Sequence, residues 1–312
     1  MIATAFNPDF AARVLPPGPR DWLRHDRSLH PELQSLIGRV FGDVPLRETE
    51  VESLPLWEHI LLIESAPQSQ FDLLIELGRE GRLPPRGVVC VAGEGRGFHG
   101  MRNRPWVAPA GNLYLSTHLA PGRPVDHAGV AFTVLAAVSV LEAVDGLPGS
   151  AERARIKWVN DILIEGAKVC GVIAHTQMEG ERVGRVFLGI GLNVETAPEI
   201  EPTPQVPRAA CLADFVPCRR RDLLGPLLET VARNYEELLE EGYAGLLDRY
   251  RRRSLALGRE VAVSSEEGGI TARGRVTAIG PNLELHLKGR DRPVHRGRLI
   301  LEEPVESTRY GN

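Results

Sequence analysis

The sequence predicts an α+β protein: a mixed central β-sheet packed with helices, followed by a small separate β-barrel. Three observations carry that expectation. Strand-like and helix-like segments occur together from Trp57 onward, in no regular strand–helix alternation. The run HAGVAFTVLAAVSVLEAVDG is apolar on nearly every side, as a helix buried in a larger core is. From about Leu257 to Glu303 the pattern changes to short strands, with turns at Glu267-Gly268-Gly269, Gly280-Pro281-Asn282 and Gly289.

The elements follow in order. Residues 1–55 are polar, proline-punctuated and weakly periodic, an N-terminal extension of unassigned role in which HPELQSLIGRVFG fits one short helix. The segment lacks the two spaced helices and basic surface of a helix-turn-helix, so transcriptional repression is not expected. LWEHILLIES alternates as a strand. QSQFDLLIELGREG puts Phe71, Leu74 and Leu77 on one helical face and is expected to stop at Gly78. GVVCVAG reads as a buried strand, a loop with Gly93, Gly95, Gly97 and Gly100 follows, and GNLYLSTHL is the next strand. IKWVNDILIEGAKVCGVIAHTQ and RVFLGIGLNVE predict three strands with a hairpin turn at Glu165-Gly166. Residues 197–207 are a proline-rich connection, and 220–253 one long amphipathic helical region. The expected units are 1–55, a main domain over 56–254, and a C-terminal barrel over 255–312.

Composition narrows the function. The chain has 312 residues, 43% hydrophobic and 25% charged, and a net charge of −4, so neither a nucleic-acid partner nor a disordered chain is expected. The N-terminus lacks the basic-then-apolar order of a secretory signal, and no long uncharged apolar run predicts a membrane span; a cytoplasmic location is the expectation. Cys90, Cys170, Cys211 and Cys218 form no zinc-ligand spacing and read as reduced core residues. The arginine runs at 218–222 and 249–254 read as solvated faces.

GRGFHG (95–100) matches the spacing of a dinucleotide-binding loop. Such a loop must open a helix, so that the pyrophosphate meets free N–H groups; MRNRPWVAPAGN follows instead, with two prolines. The glycines read better as a loop that closes over a ligand.

The chemistry-bearing residues sit in KWVNDILIEGAKVCGVI, which places Lys157, Asn160, Asp161 and Lys168 among apolar strand positions. Strand lysines usually snorkel to the surface. Here they stand with an Asn-Asp pair, a glycine- and arginine-rich loop, and GIGLN ending in Asn193. On these motifs the chain resembles the biotin protein ligase family, within the wider biotin and lipoyl ligase group. FHGMRNRPWVAPAGNLYLS (98–116) lies on the family's GRGRxGRxWxSPxGNLYxS without a gap, KWVNDILIEGAKVCGVI on its KWPND…KxxGIL, and GIGLNV on its GIGINV. The likeness runs from about residue 57 to 303 and implies that the C-terminal barrel is SH3-like.

The resemblance implies an ATP-dependent ligase that activates biotin as biotinyl-AMP and passes it to a lysine of a carrier domain. It implies Lys168 and Lys157 as catalytic cations; Trp106, Asn160, Asp161 and Asn193 at the nucleotide; and Mg²⁺ on Asp161. It implies Ser69, Gln70, His99, Gly100, Arg102, Arg104 and Gly171 around the acid, and the acid, a carrier domain and a second copy of the chain as partners. The departures cluster at the acid end: His99 and Met101 stand where the family has arginines, Asn103 where it has glycine, and Gln70 where threonine is usual. Lipoate, octanoate or another acid is therefore the alternative substrate, and a non-catalytic binding protein the second alternative.

Overall fold

The computed structural model describes residues 1–25, 30–83 and 87–302; the end of the expected C-terminal unit, 303–312, lies outside them. The central sheet is built from β1 (Ile2–Ala5), β2 (Leu23–Arg24), β3 (Arg47–Glu50), β4 (His59–Ala66), β5 (Val88–Gly95), β6 (Leu113–Leu119), β7 (Ala154–Lys157), β8 (Asp161–Ile164), β9 (Ala167–Glu179) and β10 (Arg182–Leu192). Their order is β2-β3-β1-β4-β5-β6-β10-β9-β8-β7, parallel only at β1–β4 and β4–β5. The expected mixed sheet is thus present, and it is longer than the sequence suggested. Residues 1–55 contribute three of its strands, each of four residues or fewer, too short to carry a visible alternation. The expected short helix is α2 (Pro31–Phe41).

Two apolar layers cover the sheet. On one face α1 (Pro8–Val14), α4 (Ala128–Asp145) and α5 (Arg220–Glu240) pack with Ile156, Ile162, Val172 and Leu188 of the strands. On the other, α2 and α3 (Gln70–Arg79) pack on Leu61, Cys90, Tyr114 and Phe187. α4 is long and apolar enough to cross a membrane by length and composition, but it is enclosed between β9 and α5. All four cysteines are buried free thiols.

Four details differ from the sequence expectation. Gly78 does not stop α3; it lies within the last turn, and its lack of a side chain leaves room for Phe187, whose Cζ would lie 2.6 Å from a Cβ there. The segment expected to form three strands forms four, since a turn at 158–160 separates β7 from β8. The long helical region is broken at Gly242 (φ +87°), giving α5 and a separate α6 (Ala244–Arg252). The arginine runs are only partly solvated: Arg220 is buried against Glu195 and the Phe10 ring, and Arg253 makes a two-oxygen pair with Asp145.

Beyond α6, β11 (Glu260–Ser264), β12 (Ile270–Ile279), β13 (Leu285–Leu287) and β14 (Arg298–Leu301) form a four-stranded antiparallel sheet in the order β13-β12-β11-β14. Among the described residues it is an open sheet rather than the expected closed barrel. It is tied to the central sheet by Trp158 Nε1, which donates to Leu283 O at 2.6 Å.

Candidate active site

A cavity of about 190 Å³ opens between the 96–106 loop, the β8–β10 surface and the 198–209 connection. Strand register explains its charge. Asp161 pairs with Gly171 across β8 and β9, and a bulge intervenes before Leu163 pairs with Lys168. The bulge lets Val169 and Cys170 both enter the core and turns Lys168 onto the face that carries Asp161. Without it Lys168 would point into the apolar layer. Lys168 Nζ then lies 2.6 Å from Asp161 Oδ1 and 5.0 Å from the Trp106 ring centroid.

Trp106 lies across β9 and β10, where Gly171 and Gly191 leave room for it. A Cβ at Gly171 would come within 2.7 Å of the indole, and one at Gly191 within 2.8 Å. The glycines of the two strand motifs are the seat of this ring.

Lys157 ends β7, is 5% exposed, and donates to Gln205 O. Burial first, then the neighbouring charges of Lys168, Arg298 and Arg104, push its pKa down to about 8 against the opposing pull of Asp161. It lines a smaller cavity with Lys168, Asp161, Arg104 and Arg298, next to the main one. Arg298 reaches both cavities from the C-terminal sheet. Its Nε is buried without a hydrogen-bond partner, and its pKa is lowered by burial and by Arg104. Arg102 and Arg296 line the smaller cavity too, and its carboxylates are Asp161 and Glu266; cations thus outnumber carboxylates there, an arrangement that favours an arriving anion.

The two asparagines differ. Asn160 spends its Nδ2 on Val172 O at 2.7 Å, tying the 158–160 turn to β9. Asn193, 1% exposed at the end of β10, donates Nδ2 to Ala210 O at 3.0 Å and leaves Oδ1 buried without a partner. Asn193 and Asp161 line the same cavity. No group of three or more His, Cys, Asp or Glu able to hold a metal is present among the described residues. Mg²⁺ bound with a triphosphate needs only one or two protein oxygens, so these two fit it.

The other end of the cavity is walled by Phe71, Phe98, Tyr114 and Ile173, with Ser69, Gln70, Gly100 and His99 among its polar groups. Ser69 caps α3 by accepting from Asp72 N at 3.3 Å, and Gln70 is turned back on Gln68 O at 2.7 Å. His99 Nε2 lies 2.8 Å from Asp72 Oδ1, and its Nδ1 lies 2.9 Å from Gly100 O. Arg104 lines the cavity and donates Nε to Met101 O at 3.0 Å. Arg102 is not brought to the main cavity; it is exposed and paired with Glu266 of the C-terminal sheet's β11–β12 turn.

Three contributors escaped the sequence. Arg298 lies far along the chain in RGRLI, with no local motif. Asp72 reads as an ordinary acid in a helix's first turn. Asn112, wholly buried, knits the strand ends together: its Oδ1 accepts from Val194 N at 2.7 Å and its Nδ2 donates to Thr196 O at 3.0 Å. Its place in GNLYLS was the available signal.

Comparisons with known proteins bear on the family and the fold. Residues 70–193 match the Biotin/lipoate A/B protein ligase family, a span that begins at Gln70 and ends at Asn193. A biotin--[acetyl-CoA-carboxylase] ligase of Paracoccus denitrificans is 33% identical over 197 residues, 61% of this chain and 79% of that protein. The bifunctional ligase/repressor BirA of Bacillus subtilis is 28% identical over 187 residues, and the match covers 59% of this chain and 57% of BirA's length. Among solved structures, the biotin protein ligase of Aquifex aeolicus in complex with biotin and ATP superposes with a TM-score of 0.61 at 20% identity, over 78% of this chain and 99% of that one, a likeness of fold. The motif order, the cavity they enclose and these matches together place the chain in the biotin/lipoate A/B protein ligase family.

Proposed function

We propose that the chain is an ATP-dependent biotin–protein ligase. The biotin carboxylate attacks the α-phosphorus of ATP, pyrophosphate leaves, and biotinyl-AMP forms. The amine of a carrier-domain lysine then attacks the acyl carbon, an amide forms, and AMP leaves. The observation that carries the reading is the excess of cations, Lys168, Lys157, Arg104 and Arg298 among them, that gathers around Asp161 beside a cavity with Phe71, Phe98, Tyr114 and Ile173 in its walls.

Each part of the site has a task in that chemistry. Carboxylate and triphosphate repel, so fixed cations must hold them together and offset the charge that grows at phosphorus. Lys168 serves the reacting carboxylate and α-phosphate, and Lys157 and Arg298 the remaining phosphates. Asp161, with Asn193 Oδ1, would hold Mg²⁺, which neutralises triphosphate charge. Trp106 offers its face to the adenine. The apolar far end takes the body of the acid, where Ser69, Gln70 and the loop backbone meet its polar ring. The 96–106 loop keeps water from a labile anhydride. In this reading 56–254 is the catalytic domain, and 255–312 a small SH3-like unit whose open sheet delivers Arg298. Residues 1–55 lengthen the sheet. The partners are a biotin-accepting carrier domain and, in a homodimer, a second copy.

Incubation with ATP, Mg²⁺ and biotin is expected to yield biotinyl-AMP and, on addition of a carrier domain, biotin amide-linked to one lysine. Absence of both products under conditions that support an established ligase counts against the proposal. Lipoyl- or octanoyl-AMP formed in place of biotinyl-AMP favours the related ligase.

A further inference from the structure

We propose that Asp72 is a positioning residue for the acid: through His99 it fastens the 96–106 loop to the first turn of α3, at the point where the family's loop carries an arginine. The inference rests on the ligase reading for what the loop encloses, and on the following geometry for the fastening itself.

Asp72 is the third residue of α3 and is half exposed. It does not line the cavity, whereas Phe71 and His99 on either side of the contact do. Its two oxygens lie 2.8 and 2.9 Å from His99 Nε2, while His99 Nδ1 faces Gly100 O at 2.9 Å. A neutral imidazole has one N–H and cannot donate to both. The arrangement therefore asks for the doubly protonated ring, a cation in the position of the family's guanidinium. The ring also stands edge-on to Phe71, with centroids 6.1 Å apart.

Fixing His99 fixes the loop, because the loop is internally tied. Trp106 N donates to Phe98 O at 2.9 Å and Gly100 N to Arg104 O at 2.8 Å. Phe98, Met101 and Arg104, which line the cavity, are carried on that narrow ladder. One latch on α3 thereby sets several walls of the acid site.

Asp72 is the charged group that acts on the ring. None of the loop's own cations, Arg96, Arg102 and Arg104, acts on it: Arg102 turns to Glu266 and Arg104 Nε to Met101 O. Burial by itself would lower the His99 pKa; the Gly100 carbonyl and Asp72 outweigh it, and the net shift is upward. A His raised in this way keeps its charged pair below the folded pKa and loses it as pH rises through that value, so the latch loosens on the alkaline side.

Two readouts on the full chain test the proposal. Hydrogen exchange of the 96–106 amides, measured without ligand, reads the latch whatever acid the cavity takes. Asp72→Asn and His99→Gln are expected to speed that exchange by ~10-fold or more, the scale of a lost charge-assisted hydrogen bond, and His99→Arg to retain the wild-type rate. In biotin-dependent ATP–pyrophosphate exchange, Asp72→Asn is expected to raise KM for biotin by about 10-fold, with kcat and KM for ATP within about twofold. Wild-type KM for biotin should climb with alkaline pH, and His99→Arg should remove the climb. Wild-type loop exchange in Asp72→Asn overturns the latch, as does an equal rise in both KM values or a pH climb that persists in His99→Arg. If wild type gives no exchange with biotin, the ligase reading fails, and loop exchange then decides the latch alone.

Discussion

Lys168 Nζ and Asp161 Oδ1 stand 2.6 Å apart, on neighbouring strands whose register would bury Lys168 in the core but for a single bulge. The pair places one cation and one metal-competent carboxylate on the same wall of the cavity. Lys168→Ala is expected to lower the single-turnover rate of adenylate formation by about 100-fold or more, close to 2.7 kcal/mol of transition-state stabilisation. Asp161→Asn is expected to raise the Mg²⁺ concentration for half-maximal rate by about 10-fold, checked by metal titration at fixed ATP. Rates within twofold of wild type in both variants would remove the pair from the reaction.

Lys157 predicts a proton linkage. Its pKa is pushed down to about 8 in the free protein, so near pH 8 a large share of the molecules carries it uncharged. A bound triphosphate restores the charge, so ATP binding should take up roughly half a proton at pH 8 and close to none at pH 6. Calorimetry in two buffers of different ionisation enthalpy measures this uptake. Lys157→Arg, which stays charged throughout, should abolish it.

Arg298 is expected to act on the nucleotide, although it comes from the C-terminal sheet. Arg298→Ala should raise KM for ATP by about 10-fold while KM for biotin stays near wild type, since a paired charge is lost on one substrate only. Steady-state kinetics with each substrate varied separately makes the distinction.

Gly78 carries a prediction about stability. A Cβ there would meet Phe187 at 2.6 Å, so Gly78→Val overpacks the layer between α3 and the sheet. The expected cost is about 1–3 kcal/mol, read as a lower urea midpoint at unchanged slope. Gly81→Ala, outside that contact but at φ +70°, should cost less, about 1 kcal/mol of backbone strain.

Much of this was legible in the residues. Lys157, Asp161 and Lys168 fall within one motif because the β7–β8–β9 meander brings its ends together locally. Asn193 was visible for the same reason, at the end of the adjoining strand. Arg298 was not, because its partnership depends on how the C-terminal sheet docks, and Trp158 Nε1 to Leu283 O carries no pattern in the sequence. The strands of residues 1–55 were hidden by their length: a parallel pairing such as Ile2 with His59 is fixed by the sheet, not by local alternation. Arg102 followed the family pattern in sequence but pairs with Glu266 and lines only the smaller cavity, from a left-handed position in the 101–103 turn. His99 and Asp72 illustrate the converse: the pair is plain in space, yet its members lie 27 positions apart in the chain.

The most direct test of the central claim is ATP–pyrophosphate exchange by the full chain, with Mg²⁺ and one acid at a time: biotin, lipoate, octanoate, and no acid. The ligase reading predicts exchange that depends on biotin, with kcat/KM for biotin at least about 100-fold above that for the other acids, the discrimination expected of a site built to hydrogen-bond a ureido ring. Exchange with lipoate or octanoate but not biotin, or no exchange with any acid, would contradict it.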